Sequence, residues 1–549
     1  MNMAKPSDHH AERERFFGGA KIMALLTLLS RLTGMLRAIA VTSLGASALT
    51  DAFAMAFKIP NLFRRLFGEG ALSSAFVPVF TETLESDGEV PARRLLGNAA
   101  GLLGAALLAI MLLIEAGLLA WGLLWPGPED RQLLIGLLAV MLPFMVTICL
   151  LALGSAALNC RGRFTFPAFA PVLLNLFMIA ATWLVWPLLP GRLVARLYIL
   201  AASVTLAGLV QVVVLALLLR REGLLPRLNL GPIQPGIRVM LHRMGPMLLG
   251  LGFLQLMELA ESAIAWLLRA RHDGDVLHLL GRELAKPLGA GVLIQLDAAR
   301  YLYQLPLGVL AMSLSVAVFP LLSRYAARDD MPSLRDAVNR ALRLSSLEAL
   351  AAGTGLFVLA EPITLLLYRH GNFSAEAARS AAFILRMYVL GMWGYCTYPT
   401  VVRAFYALGD TTTPLKTSCV LALPHMLMVA GLVWAPRLGP GAFGLATALT
   451  FTADALALIW LLRRRLGRFG GRRFAASLAR AAACAAAMAA TLYLLRWQFH
   501  HWGLGHKAVV AAGLPVGAAV FLAAARLLRA PELGELLGSL RRRKTQERE

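Results

Sequence analysis

The sequence lacks the residue patterns on which most enzymes depend. It has no glycine-rich phosphate loop of P-loop spacing, no HExxH motif and no supported Ser/His/Asp set. Its five cysteines are scattered, no two have the spacing of metal ligands, and we interpret them as structural: Cys149, Cys160, Cys396, Cys419 and Cys484. We therefore expect no catalytic residues, no metal site, no cofactor and no ATP hydrolysis within this chain.

Acidic residues are also scarce. There are 31 Asp and Glu against 53 Lys and Arg, which gives a net charge of +22. A nucleic-acid-binding protein would place such an excess on one soluble face, but no soluble domain is evident, so we expect no nucleic acid partner. Hydrophobic residues make up 58% of the chain and its mean hydropathy is +0.67. This composition is typical of an all-α, polytopic membrane protein.

Long apolar runs recur along nearly the whole chain. A membrane-spanning helix needs roughly 20 apolar residues, and the sequence predicts fourteen spans, centred near residues 30, 65, 110, 145, 175, 208, 255, 308, 352, 392, 424, 452, 486 and 518. Arg and Lys are concentrated in alternate short loops. The positive-inside rule then predicts that both termini are cytoplasmic, as an even number of spans requires.

The predicted organisation has two blocks of six spans and two extra spans. A polar linker with three prolines separates the blocks, and each block begins with spans that carry internal polar residues, a common transporter signature. The boundaries are a cytoplasmic N-terminus at 1–17, an N-lobe at 18–221, a linker at 222–238, a C-lobe at 239–466, two further spans at 474–528 and a basic, solvated cytoplasmic tail at 529–549. An insertion at about 271–293 is too charged to cross a bilayer, and we expect an external loop or short surface helix there.

Two arginines lie within the first span. Arg31 and Arg37 flank Gly34, three residues away on either side, and they are about 120° apart around a helix. A charge at mid-membrane costs roughly 2.5–3.5 kcal/mol, so such residues usually face a bundle interior or a watery cavity. The small Gly34 would let a ligand phosphate approach closely. The alternative is that both arginines reach an interface or pair with acids elsewhere.

The second span contains a denser set of charges. Lys58, Asn61, Arg65 and Glu69 make one polar face of an ideal helix, and Arg64 points away from it by about 100°. Residues predicted to shape or bend helices are Pro60, Gly68 and Gly70 in this span, Gly34 in the first span and Pro306 in the second block. The alternative is an amphipathic helix lying along the membrane surface.

These cations favour an anionic cargo. The planar fork of arginine donates two parallel hydrogen bonds and suits a pyrophosphate. Asp51 and Glu69 would hold the arginines when cargo is absent, which limits the cost of unpaired charge. In the second block Arg300, three residues after Asp297 and six before Pro306, adds a cation. A simple Asp297–Arg300 pair is the alternative.

Several motifs resemble the MurJ (MviN) lipid II flippase family. The segment Asp51–Pro78, which ends in Glu69-Gly-Ala-Leu-Ser-Ser-Ala-Phe-Val-Pro78, is long and specific. Shorter matches are Ser30–Arg37, Asn159–Pro171, Met244–Pro246, Gln304–Gly308, Tyr368–Phe373 and Ala404–Pro414. The resemblance covers essentially residues 18–528.

The resemblance implies the fold of the multidrug/oligosaccharidyl-lipid/polysaccharide exporter superfamily. This fold has two six-helix lobes in a V around a central cavity, with two extra helices that form a lipid-facing groove. The family's functional charges correspond to Arg31, Arg37, Asp51, Arg64 and Glu69, so the resemblance favours Arg64 where the helical wheel favours Arg65.

The chain departs from the family pattern at two positions. An acid usually follows the second arginine of the first span, and here Ala38 does. The arginine of the eighth span usually stands five residues before the proline of the Leu-Pro-Leu-Gly run, a position occupied by Tyr301, with Arg300 one place earlier.

The predicted function is a flippase in the bacterial cytoplasmic membrane. It would move lipid II, an undecaprenyl-pyrophosphate-linked peptidoglycan precursor, from the inner to the outer leaflet by alternating access, with coupling to the membrane potential or a monovalent ion. Partners would be lipid II, membrane lipids and, as a hypothesis, other cell-wall synthesis proteins. The alternatives are a flippase for another polyprenyl-linked glycan, a multidrug exporter of the same superfamily, a membrane phosphatase or glycosyltransferase, and a scaffold.

Overall fold

A computed structural model of the chain describes residues 6–272, 274–279, 281–467 and 470–534. For residues 6–22, 24, 68–71, 73, 74, 243, 246–251, 254 and 279 it describes the backbone alone. The chain divides into two compact units, Met1–Leu267 and Leu268–Glu549. The division falls at the end of a helix about 30 residues beyond the linker from which the lobes were predicted, and the predicted lobe boundaries stay a prediction.

Eight α-helices lie in the first unit. They are α1 (Pro6–Thr42), α2 (Ala48–Phe63), α3 (Leu72–Ser86), α4 (Glu89–Leu124), α5 (Glu129–Cys160), α6 (Thr165–Ala180), α7 (Leu193–Arg221) and α8 (Pro235–Leu268). π-Helical segments at Arg64–Ala71 and Ala181–Val185 continue α2 and α6, and a 3₁₀ turn follows at Trp186–Leu188.

The second unit is also helical in the part that the structure describes. Its helices are α9 (Val292–Pro306), α10 (Met312–Ala327), α11 (Met331–Tyr368), α12 (Ala375–Val389), α13 (Met392–Ala407), α14 (Thr412–Leu432), α15 (Gly441–Leu466), α16 (Gly471–His501) and α17 (His506–Leu527). A π-helical segment, Leu307–Ala311, joins α9 to α10.

Eleven stretches of the described chain are long and apolar enough to cross a membrane. They match eleven of the fourteen predicted spans and confirm a polytopic, helical membrane protein. The other three predicted spans correspond to α2 with α3, to α8, and to α12 with α13. Charges lie within the first two of these, and Leu390-Gly391 separates the two helices of the third.

The core of the first unit surrounds α5. Buried side chains occur around the whole circumference of α5, as expected for a helix that is apolar on every face. α2 and α3 both contribute to this core, for example through Phe53, Ala56 and Phe76. The second span is therefore packed into the core of the unit.

The predicted linker at 222–238 packs against α4. The backbone N–H of Asn229 donates to the carbonyl of Gly97 at 3.1 Å, and the side chain of Asn98 bonds the backbone of Asn229 and Gln234. A Cβ on Gly97 would lie 2.2 Å from the Arg227 carbonyl oxygen. Glycine is therefore required where the linker backbone meets α4.

In the second unit, α11 is the most extensively buried helix, and it contacts α10, α12, α13, α16 and α17. At one end of α11 a buried carboxylate holds the residues that follow α17. Glu532 is 1% exposed and accepts from Ser477 at 2.8 Å, with Arg343 at 3.4 Å. The beginning of the tail, which the sequence predicts to be solvated, is thus packed against α11 and α16.

The insertion at 271–293 contains a β-hairpin, so the short surface helix offered for it is wrong, while its place as an external loop stays a prediction. Strand β1 (Val276–Leu279) pairs antiparallel with β2 (Arg282–Ala285). Gly281, with φ of +74°, occupies the left-handed region in the tight turn between them. At the hairpin's base Lys286 bonds Asp275 at 3.0 Å, and the bridge Arg269–Leu288 closes it.

Candidate functional site

The three arginines predicted to bind substrate in the first unit line one cavity. The cavity has a volume of about 620 Å³, and Arg31, Arg37 and Arg64 are among the residues that line it. α1 supplies the first two arginines, and the π-helical segment after α2 supplies the third. α5, α6 and α7 complete the wall. The sequence therefore placed these cations correctly as neighbours, although they come from two different helical stretches.

Local contacts position the arginine side chains. The Arg64 Nε donates to the Asn61 Oδ1 at 2.9 Å. The guanidinium of Arg37 lies 5.6 Å from the ring centroid of Phe57, an attractive cation–π distance, and 4.0 Å from the Met178 sulfur. Arg37 and Arg64 are half-buried, whereas Arg31 is exposed.

The arginine of the second span that lines the cavity is Arg64, which lies off the polar face of the helical wheel. Residues Arg64–Ala71 form a π-helix, in which each hydrogen bond encloses one more residue than in an α-helix. Arg65 does not line the cavity: its Nη1 pairs with Glu258 and donates to Gln255 at 3.2 Å, both on α8. Arg64, which the wheel turned away, is the arginine at the cavity.

An asparagine of α6 holds the first helix in place beside the cavity. Asn175 is buried, and its Nδ2 donates to the Ser30 carbonyl at 3.2 Å and to the Thr33 hydroxyl at 3.1 Å. A Cβ on Gly34 would lie 3.7 Å from this nitrogen, which is ordinary van der Waals contact. Gly34 lines the cavity, and protein packing alone does not require a glycine there.

Sequence reasoning missed the polar residues on the far wall. Ser155, Asn159 and Gln211 all line the cavity. The Gln211 Nε2 donates to the Ala170 carbonyl at 2.6 Å, which fixes the orientation of the amide. The Asn159 Oδ1 and Gln211 Oε1 are buried and have no hydrogen-bond partner in the described part of the chain. Gln211 is marked in the sequence only as a polar residue within an apolar span, whereas Asn159 also begins one of the segments that resemble the family.

The other charges predicted in this region have different positions. Asp51 is fully buried in the first turn of α2, where a carboxylate interacts favourably with the helix dipole. Lys58 is half-buried on α2. Neither lines the cavity. The side chain of Glu69 lies outside the described residues. Gly68 and Gly70 fall within the π-helical segment, and Pro60 lies four residues before its start.

The residues predicted in the second unit form their own cluster. Arg300 on α9 is buried; its Nε donates to the Tyr388 hydroxyl at 3.0 Å, and its Nη1 lies 3.9 Å from Asp297. The simple pairing offered as an alternative is thus present. Pro306 ends α9, and the π-helical segment Leu307–Ala311 begins directly after it. In each predicted block, therefore, the second span contains a proline followed by a π-helix.

The cavity is chemically suited to an anion. Three guanidinium groups line it, and no lining residue that the structure describes is acidic. Its other walls are mainly apolar, and charge–charge attraction is stronger in such surroundings than in water. Three forked donors can bind several phosphate oxygens at once.

Comparison with known proteins shows the family of this chain. The family model described as lipid II flippase MurJ matches residues 40–512. A curated relative from Burkholderia cenocepacia, named lipid II flippase MurJ, is 30% identical over 450 residues, which cover 80% of this chain and 82% of the relative.

Solved structures support the same fold. A structure titled lipid II flippase MurJ, inward closed conformation, has a TM-score of 0.73 at 21% identity and covers 92% of this chain and 98% of its own. An inward-facing MATE-family multidrug resistance transporter of the MOP superfamily has a TM-score of 0.65 at 14% identity, covering 81% and 98%. The exporter fold is therefore shown.

Proposed function

The chain belongs to the lipid II flippase MurJ family, and from this premise we propose that it moves lipid II from the inner to the outer leaflet of the bacterial cytoplasmic membrane. The protein is a transporter that alternates between access to the two sides. Arg31, Arg37 and Arg64 bind the pyrophosphate of the cargo, while its undecaprenyl tail remains in lipid along α16 and α17.

The observation that carries this proposal is the cavity with three arginines and no acid among its described lining residues. A pyrophosphate is the doubly phosphorylated part of lipid II, and it needs several donors to replace its hydration. Arginine supplies them while remaining charged in a poorly solvated site. The unpartnered oxygens of Asn159 and Gln211 lie in the same wall, and after a small side-chain movement they can accept from hydroxyl or amide groups of the attached sugar.

The same observation distinguishes this proposal from multidrug export. A cation-coupled drug exporter needs acidic residues in its first lobe, and the lining of this cavity has the opposite charge. An exporter of another polyprenyl-linked glycan shares the pyrophosphate, so transport must be measured with lipid II itself.

Arg300 is proposed to contribute from the second block during transport. Its contacts with Tyr388 and Asp297 support an orienting role, since they hold the guanidinium when no cargo is bound. We propose that no cofactor is needed and that the membrane potential or a monovalent ion supplies energy. Each elementary charge that crosses the membrane is worth about 2.3 kcal/mol per 100 mV.

We propose that both termini are cytoplasmic. The proposal counts α2–α3, α8 and α12–α13 as three crossings in addition to the eleven spans, so that the number of crossings is even. Single-cysteine variants in a cysteine-free background test this orientation with a membrane-impermeant maleimide on intact cells. Labelling of Glu129→Cys but not of Lys416→Cys is expected, because these exposed positions lie near the beginnings of α5 and α14, which the proposed orientation puts on opposite sides of the membrane. The reverse pattern would exclude the orientation.

The test of function is complementation of a flippase-depleted bacterium. Wild type should restore growth, and Arg31→Ala, Arg37→Ala and Arg64→Ala should each fail at normal protein level. The matched control is Arg94→Ala, which removes an exposed cation of α4 that does not line the cavity. In the same cells, access of an added impermeant enzyme to lipid II reports the outer-leaflet pool directly.

Each result has a defined meaning. Rescue by all three cavity variants would show that Arg31, Arg37 and Arg64 are not required for transport, and it would exclude the proposed binding site. A second combination is that wild type fails to rescue growth despite good expression while the purified protein transports lipid II in vesicles. That combination would show incompatibility with the host and would leave the proposed function intact. Failure in both assays overturns lipid II as the cargo.

A further inference from the structure

A second cavity lies wholly within the second unit, and the proposed transport site does not use it. Its volume is about 640 Å³, and it is enclosed by α11, α13, α15 and α16. The walls are mainly large apolar side chains: Leu342, Leu350, Leu456, Ile459, Phe474 and Leu478. Because α11, α15 and α16 are membrane-spanning stretches, an occupant of this cavity comes most readily from the lipid phase.

Two cations lie at the end of the cavity where α15 gives way to α16. Arg463 is in the last turn of α15, Arg472 is in the first turn of α16, and both line the cavity. Both are exposed, and within the described residues neither has an ion pair or a side-chain hydrogen bond. The neighbouring cations differ: the Arg464 guanidinium lies 3.6 Å from the Trp460 ring centroid, and Arg465 pairs with Asp410 at 2.6 Å.

The position of Arg472 makes an anion there favourable. The first turn of a helix carries the positive end of its dipole, so an arginine at that point is repelled unless a negative group lies between them. No side chain caps the first turn of α16. Within the described lining no acidic residue compensates the two arginines.

We propose that this cavity binds one anionic glycerophospholipid. Its phosphate contacts Arg463 and Arg472, and an acyl chain lies between α11, α15 and α16. A neutral lipid or an uncharged prenyl segment would fill the apolar part but leave both arginines without a partner. Basic pockets between membrane helices are a recognised kind of headgroup site. The bound lipid fills the space between α16 and its neighbours and so fixes where this helix lies.

A tryptophan in the wall provides the measurement. Trp393 lines the cavity, so a brominated acyl chain bound there quenches its fluorescence. The full-length protein is reconstituted in phosphatidylcholine with increasing brominated phosphatidylglycerol, and the same titration is done with brominated phosphatidylcholine. The Trp393 signal is the difference between wild type and Trp393→Phe. Since the Trp393 Nε1 donates to Ser346 at 2.9 Å, thermal unfolding of Trp393→Phe must first show that it remains folded.

We expect quenching by brominated phosphatidylglycerol to be saturable. The mole fraction that gives half-maximal quenching should be at least fivefold lower for phosphatidylglycerol than for phosphatidylcholine. The double variant R463Q/R472Q should lose this preference, because each arginine near a membrane surface contributes roughly fivefold to anionic lipid binding. The matched control R464Q/R473Q removes the same charge from side chains that do not line the cavity, and it should keep the preference. Native mass spectrometry should show one phosphatidylglycerol retained by wild type and by the control.

Three outcomes overturn the proposal. One is equal quenching by the two lipids in wild type. Another is equal loss in both double variants, which would indicate only general attraction to an anionic surface. The third is displacement of quenching lipid by undecaprenyl pyrophosphate but not by excess phosphatidylglycerol, which would assign the cavity to the cargo. All three can be read independently of transport, so failure here leaves the lipid II proposal unaffected.

Discussion

Arg64 and Arg65 are adjacent in the sequence but belong to different parts of the structure. Arg64 lines the cavity of the first unit, whereas Arg65 pairs with Glu258 on α8. Adjacent residues of a helix point about 100° apart, so the two side chains leave the same turn in different directions. We therefore propose different roles for the two arginines. Arg64 binds cargo, and Arg65 stabilises the packing of the second predicted span against α8, the seventh.

This difference predicts opposite phenotypes for two alanine variants. Arg64→Ala should abolish transport with little change in stability. Arg65→Ala should reduce stability by about 1.5–3 kcal/mol, the usual contribution of hydrogen bonds to charged groups. Thermal unfolding in detergent, together with complementation, checks both. Equal stability loss in the two variants would contradict the assignment, and Arg65→Lys should recover part of the stability by retaining the charge.

Gly34 should show a conflict between stability and activity. Gly34→Ala is expected to stabilise α1 by about 0.5–1 kcal/mol, because alanine favours a helix and its Cβ meets Asn175 only at 3.7 Å. Transport should nevertheless fall, and more so for Gly34→Val, because the added atoms occupy the cavity beside the arginines. Gly117→Ala is the control, since a Cβ there has open space and Gly117 is not in the cavity. Unchanged transport in both Gly34 variants would show that cargo does not approach this residue.

Asp410 should make stability depend on pH. Burial raises the pKa of this carboxyl, but hydrogen bonds from Thr413 and Thr412 and the charge of Arg465 outweigh it, so its pKa lies well below the usual range. Since the folded-state pKa is lowered, this contribution is present above the ordinary value of about 4 and is lost as the pH falls further. Stability of wild type in detergent should decline over this range more steeply than that of Asp410→Asn.

The control for that measurement is Asp336→Asn, which changes an exposed acid of α11. Its pH dependence should match wild type. Asp410→Ala should be less stable than Asp410→Asn, because asparagine can still accept from the backbone N–H groups of Thr412 and Thr413, which lie 3.0 and 2.9 Å away.

Glu532 should be more important than its place in a basic tail suggests. It is buried and accepts from Ser477 and Arg343, so Glu532→Ala should lower stability by about 1.5–3 kcal/mol. Arg526→Ala, on the exposed side of α17, serves as the control and should behave as wild type in thermal unfolding. If both variants unfold at the wild-type temperature, the packing of the tail contributes nothing measurable.

The sequence was sufficient to predict the membrane-spanning fold and the three arginines of the cavity. Charges within apolar spans are costly, so their number and position carry information that neighbouring leucines do not. A helical wheel could not choose between Arg64 and Arg65, because it shows which residues share a face but not which face the neighbouring helices leave open to the cavity. The family resemblance selected Arg64, the arginine that lines the cavity.

Other features depend on contacts between residues far apart in the chain. Gln211 is an ordinary polar residue in α7 until α6 supplies the Ala170 carbonyl that orients it. The β-hairpin at 276–285 was hidden because four-residue strands with charged neighbours resemble any polar loop. The hydrogen bond of Arg300 to Tyr388 could not be predicted from the sequence either, because the two residues are 88 positions apart.

The contact between Asn229 of the linker and Gly97 of α4 has a practical consequence for protein engineering. A proline-rich stretch between two six-span blocks looks like the natural site for a protease cut, a fluorescent insertion or separate expression of the halves. A cut in this linker would separate the first half of the protein from the segment that packs against α4, and it would expose Asn98. A division of the chain after Leu267, where the compact units divide, keeps the contact between the linker and α4.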